Sequence, residues 1–126
     1  MKFTELGLSP GTLSSIQALG FETPTPIQAQ AIPFLLRESR DLIGLASTGT
    51  GKTAAFGLPL LEQVDDTLTA IQAVVLAPTR ELGVQIAEDM KRFAKHRPNL
   101  KIAAVYGGAN IVTQIKALKS GAQIVV

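Results

Sequence analysis

The clearest chemistry in the chain lies in one run, Ala46-Ser47-Thr48-Gly49-Thr50-Gly51-Lys52-Thr53. Glycines let backbone N–H groups turn inward toward phosphate oxygens. A lysine placed like Lys52 can reach the β- and γ-phosphates of a nucleotide, and a hydroxyl placed like that of Thr53 can ligate Mg²⁺. Such a loop works between a strand and a helix, because the helix N-terminus adds partial positive charge. The flanks read that way. Residues 41–46 (Asp-Leu-Ile-Gly-Leu-Ala) predict a buried strand, and residues 52–64 predict a helix, with Ala54, Ala55, Phe56, Leu58, Leu60 and Leu61 making it apolar nearly all round. The first position is Ala46, so the strict glycine form of the motif is not met. The plain alternative is a Gly-rich turn beside a solvated lysine. Phosphate binding by itself does not choose between kinases, GTPases, motor ATPases and helicases.

Three further segments narrow the choice. Gly20-Phe21-Glu22-Thr23-Pro24-Thr25-Pro26-Ile27-Gln28 is a turn followed by a capped helix. The Gln28 amide, on the first helical turn, offers a donor and an acceptor that suit the N6/N7 edge of adenine. Pro78-Thr79-Arg80-Glu81-Leu82 follows a second apolar strand, and Thr79 is a good N-cap. The free N–H groups there suit a phosphate; the plain alternative is an Arg80 ion pair and a simple cap. Gly107-Gly108 follows a third strand. It is either a tight turn or a place where backbone approaches a ligand. These segments lie at or beside the carboxyl ends of strands, the edge that carries ligands in open α/β sheets.

The elements that must hold these residues can be read from periodicity. Ser9-Pro10 opens a helix with Leu13, Ile16 and Leu19, closed by Gly20. Thr25-Pro26 opens a second with Ile27, Ala31, Phe34 and Leu35, in which Pro33 should produce a kink. Residues 73–77, 101–106 and 123–126 predict strands, residues 80–97 a helix with Leu82, Ile86, Met90 and Phe93 on one face, and Asn110 caps a helix carrying Ile111, Ile115 and Leu118 that Gly121 ends. Short apolar strands alternating with helices predict an α/β fold with a parallel sheet covered on both faces.

Composition sets the outer limits. The 126 residues suit one domain with a real core, and 46% hydrophobic against 17% charged residues excludes disorder. There is no cysteine and one histidine, His96, so disulfides and Cys or His metal clusters are excluded. His96 reads as a surface residue near a helix C-terminus. Lys116 and Lys119 read as cations favoured in the last turns of their helix, with nucleic-acid contact a lesser alternative. No apolar run approaches the ~20 residues of a membrane span. The N-terminus has no apolar signal core, which leads us to expect a cytoplasmic protein. The net charge of +2 permits a nucleic-acid partner without arguing for one.

Taken together, the motifs resemble the N-terminal part of the first RecA-like domain of DEAD-box RNA helicases, over essentially the whole chain. Gly20 to Gln28 resembles that family's Q motif, with Phe3 upstream where the family keeps an aromatic. Ala46 to Thr53 resembles motif I, alanine included. Pro78 to Leu82 resembles motif Ia, with Gly83 where alanine is usual, and Gly107-Gly108 resembles the double-glycine element. The resemblance implies a P-loop NTPase fold and ATP with Mg²⁺. Phe3 would stack on adenine and Gln28 would bond its edge. Thr48, Gly49, Thr50, Gly51, Lys52 and Thr53 would hold the phosphates, with Lys52 the catalytic contribution and Thr53 beside the metal. Pro78, Thr79, Arg80, Gly107 and Gly108 would meet the RNA backbone without reading sequence.

Residues 1–36 are then expected to be the N-terminal Q-motif helices and 41–126 the βα core, cut after about four strands. The chain stops within a strand, and the family's Asp-Glu-Ala-Asp and Ser-Ala-Thr motifs are not in it. Asp65-Asp66, the one paired carboxylate, reads as a solvated loop. We therefore expect a piece of a longer enzyme, without turnover of its own. The strand at 41–46 would lose its neighbours, which suggests rearranged pairing or a strand-exchanged oligomer. Two alternatives differ in class: a P-loop kinase or other P-loop NTPase, which needs neither the Gln28 nor the Pro78–Leu82 segment, and a non-catalytic RNA-binding or folding module.

Overall fold

Ser9, Thr25, Thr79 and Asn110 each cap a helix with a side-chain oxygen, as their positions in the sequence require. The computed structural model describes residues 1–126, which form two compact units, Met1–Gln63 and Val64–Val126.

In the first unit a short 3₁₀ turn (Phe3–Glu5) precedes α1 (Pro10–Ala18), α2 (Pro26–Arg37) and α3 (Lys52–Gln63). Proline stands at the start of α1 and of α2, where its missing N–H costs no helical bond. Thr25 and Gln28 form a reciprocal capping box. The helix α2 runs on through Pro33 to Arg37. Leu6, Ile16, Ile32, Leu58 and Leu61 are fully buried, each contributing about 1.5–3 kcal/mol from the area removed from water. The backbone N–H of Ser9 and its hydroxyl both donate to Glu62 Oε1, at 3.0 and 2.9 Å, tying the start of α1 to the end of α3.

One expectation fails in this unit. Residues 41–47 form no strand. A strand exists only when its N–H and C=O groups find a ladder, and the sheet contains no partner for this run. Its aliphatic side chains stay in water, Ile43 at 89% and Leu45 at 90% exposure.

The second unit holds β1 (Ala73–Val74), α4 (Arg80–Phe93), β2 (Ile102–Ala103), α5 (Ile111–Lys119) and β3 (Ile124–Val125). The strands are parallel in the order β1-β3-β2, with Ile124 facing both Ala73 and Ile102. The sheet thus has three strands rather than the four expected. Each is short, though Val75 N–H to Val125 O (2.8 Å) and Val105 N–H to Val126 O (2.9 Å) continue the ladder. The chain moves outward from β1 to β2 and back to β3. With the right-handed crossovers that parallel βαβ units take, this reversal puts α4 and α5 on opposite faces.

Ile86, Met90 and Phe93 of α4 are buried as predicted, but Leu82 is exposed. The helix stops at Phe93 rather than 97, and Arg97 turns back to donate to Val64 O at 2.6 Å and pair with Asp66 at 3.4 Å. In α5 the expected apolar face is not the buried one. Ile111 and Ile115 are exposed, and Gln114 is the residue that goes inside.

Candidate phosphate and nucleic-acid sites

The phosphate site is built by the first unit. Gly51 precedes α3 and has no side chain with which to cap it. The first helical bond runs from Ala55 N–H to Gly51 O (3.2 Å), so the N–H groups of Lys52, Thr53 and Ala54 lie ahead of the helical ladder. These are the donors a phosphate takes at a helix start. Gly51 has φ +76°, which side-chain-bearing residues adopt only at a cost, and a Cβ there would displace Gln28 Nε2. Lys52 reaches back over the loop and donates from Nζ to Ala46 O at 2.9 Å. Thr50 Oγ1 donates to Ser47 O, closing the loop on itself. Thr48 and Gly49 lie exposed at its tip.

The Gln28 segment is fastened to this loop. Gln28 is only 4% exposed. Its Oε1 accepts from Thr25 N–H (3.0 Å) and its Nε2 donates to Gly51 O (3.1 Å). Thr25 Oγ1 donates to Thr50 O at 2.7 Å. Two residues of the α2 start therefore hold two consecutive carbonyls of the phosphate loop. A primary amide has two donor hydrogens and two acceptor lone pairs, so Gln28 keeps one of each beyond these bonds.

Phe3 sits apart from the expectation of an open stacking ring. It is 4% exposed and packs on Phe21, with ring centroids 5.9 Å apart. Phe21 is only half-buried, and the sequence reading passed over it. The signal was present, since an aromatic directly after Gly20 opens the segment that ends in Gln28.

The second unit brings its five candidates together. Thr79 Oγ1 accepts from Leu82 N–H (3.1 Å) and starts α4, which sets Arg80 at the first helical position. Arg80 Nη1 donates to Gly107 O at 3.1 Å. Gly108 has φ +82°, and a Cβ there would strike Arg80 Nη1. Pro78, Thr79, Arg80 and Gly107 line one open cleft at the carboxyl ends of β1 and β2, floored by Val126. Asp65 and Asp66 lie in the connection after α3, Asp65 exposed and Asp66 half-buried. Thr67 donates to Asp65 Oδ1 from its hydroxyl and its N–H, and these bonds lower the Asp65 pKa, the hydroxyl bond most. Asp66 pairs with Arg97.

A family model described as DEAD/DEAH box helicase matches residues 25–126. The chain belongs to that family. Among DEAD-box relatives, the ATP-dependent RNA helicase DeaD of Klebsiella pneumoniae is 52% identical over 124 residues, which is 98% of this chain and 19% of the relative. A DEAD box protein from the hyperthermophile Methanococcus jannaschii superposes over 100% of this chain and 34% of its own, with TM-score 0.93 and 48% identity. Dbp5 of S. cerevisiae, solved bound to RNA and ADP BeF3, covers 99% of this chain and 31% of its own with TM-score 0.83 and 34% identity. The chain thus spans about a fifth of that curated relative, and about a third of those solved chains. Its fold is the RecA-like α/β architecture of DEAD-box proteins, here with a three-stranded parallel sheet.

Proposed function

We propose that this chain is the adenine-, phosphate- and RNA-binding part of an ATP-dependent RNA helicase that couples ATP binding and hydrolysis to local opening of RNA duplexes. One observation carries the nucleotide half. A buried amide with a spare donor and acceptor is hydrogen-bonded directly to the carbonyl of Gly51, the residue that opens α3. Adenine offers the matching donor–acceptor pair on its N6/N7 edge, and guanine reverses one member of that pair. Phe21, half-buried and backed by the buried Phe3, is the aromatic face open to the base.

The residues then divide the work. Thr48, Gly49, Thr50 and Gly51 shape the loop, and the N–H groups of Lys52, Thr53 and Ala54 receive phosphate oxygens. Lys52 leaves Ala46 O and moves its charge to the β- and γ-phosphates. The hydroxyl of Thr53 is a hard oxygen ligand that fits Mg²⁺, which when bound neutralises phosphate charge. Thr53 would be one ligand of that ion, beside phosphate oxygens and water. Hydrolysis also needs an acid to hold the metal and a group to orient water. Asp65 and Asp66 are engaged with Thr67 and Arg97, so we expect no turnover by this chain alone.

Pro78, Thr79, Arg80, Gly107 and Gly108 offer a guanidinium and backbone N–H groups along one cleft, the chemistry that holds a sugar-phosphate backbone without reading bases. The relatives' naming as RNA helicases and the RNA in the Dbp5 structure support RNA as that partner.

The test is a titration of a fluorescent adenine nucleotide with Mg²⁺ into the chain, beside its guanine analogue and a Lys52→Ala variant. We expect adenine-selective binding that the variant loses. Equal binding of both bases would overturn the role of Gln28, and an unaffected variant would overturn the role of the loop.

A further inference from the structure

Gln114 is a polar residue in the only buried position of α5, and it touches neither proposed ligand. It is 8% exposed. Its Nε2 donates to Tyr106 O at 2.8 Å and its Oε1 accepts from Tyr106 N–H at 3.3 Å. Both bonds thus go to one peptide residue, which locks the plane of the chain as it leaves β2. The next carbonyl, Gly107 O, is the one that receives Arg80 Nη1. The residue after that, Gly108, has φ +82°, and a Cβ there would meet the end of the Arg80 side chain. Three residues further on the chain enters α5, capped by Asn110. A connection therefore runs from the interior of α5, through the backbone of Tyr106 and Gly107, to the guanidinium on α4.

We propose that Gln114 is a positioning residue for RNA: it fixes the Gly107-Gly108 backbone and, through it, the direction of Arg80. This rests on the reading of that cleft as the RNA face. The sequence supports a role beyond packing. Isoleucines flank Gln114 at 111 and 115, and the helix exposes both while burying the amide. Burying a polar side chain is costly unless its bonds are needed, and an aliphatic residue would have filled the space at lower cost.

The experiment uses the full chain, a fluorescein-labelled single-stranded uridine decamer and anisotropy at several salt concentrations. Gln114→Met keeps the volume and removes both bonds. Gln114→Glu keeps the acceptor for Tyr106 N–H and loses the donor to Tyr106 O. Arg80→Ala is the reference. We expect Gln114→Met to weaken RNA binding by about three- to tenfold, the scale of one or two net hydrogen bonds, with Gln114→Glu also weakened. Its salt dependence should match wild type, since no charge on the RNA face is lost, whereas Arg80→Ala should reduce the logarithmic salt slope by about 0.7. Amide resonances of Gly107 and Gly108 should move in both Gln114 variants, and the melting temperature should fall by a few degrees as the two bonds are lost, while adenine-nucleotide binding stays at its wild-type value.

Moved glycine resonances with unchanged RNA affinity would overturn the proposal. So would a parallel loss of RNA binding, nucleotide binding and melting temperature, which marks a merely structural residue. If wild type binds no RNA, or Arg80→Ala binds as wild type does, the RNA reading of the cleft itself fails, and the proposal falls with it for that separate reason.

Discussion

Lys52 and Gly108 show how differently two residues of one chain depend on their surroundings. The Lys52 side chain is exposed and its one bond is to Ala46 O. Lys52→Ala should therefore leave the melting temperature unchanged while abolishing nucleotide binding, which calorimetry and a thermal melt read separately. Gly108 has a left-handed φ and an arginine against its α-carbon. Gly108→Ala should destabilise the chain by about 1–2 kcal/mol in urea titration, from the left-handed conformation alone, and should turn Arg80 away from its place beside Gly107. Asp65 gives a prediction with a sign. Its carboxyl is held below the usual aspartate value by the hydroxyl and N–H of Thr67. A lowered folded pKa contributes stability that is present above the unfolded value and lost as pH falls through the folded one. Asp65→Asn should thus flatten the acid limb of the stability curve, by a small amount because the group is exposed. A ¹³C carboxyl titration should find Asp65 titrating below an aspartate in an unstructured peptide.

At the scale of elements, caps were legible and partners were not. Ser9, Thr25, Thr79 and Asn110 announce helix starts because a side-chain oxygen satisfying the first N–H groups is a local event. Residues 41–46 read as a strand from their own composition, yet a strand is a relation with another segment, and no strand pairs with this one. The inward face of α5 was misread for a related reason. Aliphatic periodicity chose Ile111 and Ile115, whereas the bonding needs of the Tyr106 peptide chose Gln114. The phosphate loop, the Gln28 segment and the Arg80 and Gly107-Gly108 elements were all visible as motifs. That Gln28 holds Gly51 O, and that Phe21 packs on Phe3, required coordinates. The double role of Thr25 as cap and as donor to Thr50 O makes it a test of the fastening. Thr25→Ala should cost about 1 kcal/mol through the lost cap, and should also weaken nucleotide binding, whereas Ser9→Ala should cost stability without affecting the nucleotide.

For the molecule as a whole, protection should follow the hydrogen bonds. Hydrogen exchange should show the amides of Val75, Val105 and Val126 protected and those of 41–47 exchanging freely. The exposed Ile43 and Leu45 bury no apolar area that a substitution would lose. Ile43→Lys with Leu45→Lys should leave the melting temperature unchanged. A drop in melting temperature would show that this run is held more firmly than its exposure indicates.

The helix α3 begins at a residue that cannot cap it, and this couples folding to occupancy. An anion on the N–H groups of Lys52, Thr53 and Ala54 does what Ser9 or Thr79 does elsewhere in the chain, but only while it is bound. The apparent stability of the first unit therefore becomes a function of ligand concentration, rising by about 2.7 kcal/mol at a hundredfold excess over the dissociation constant. A protein built this way reports the nucleotide level around it through its own resistance to unfolding.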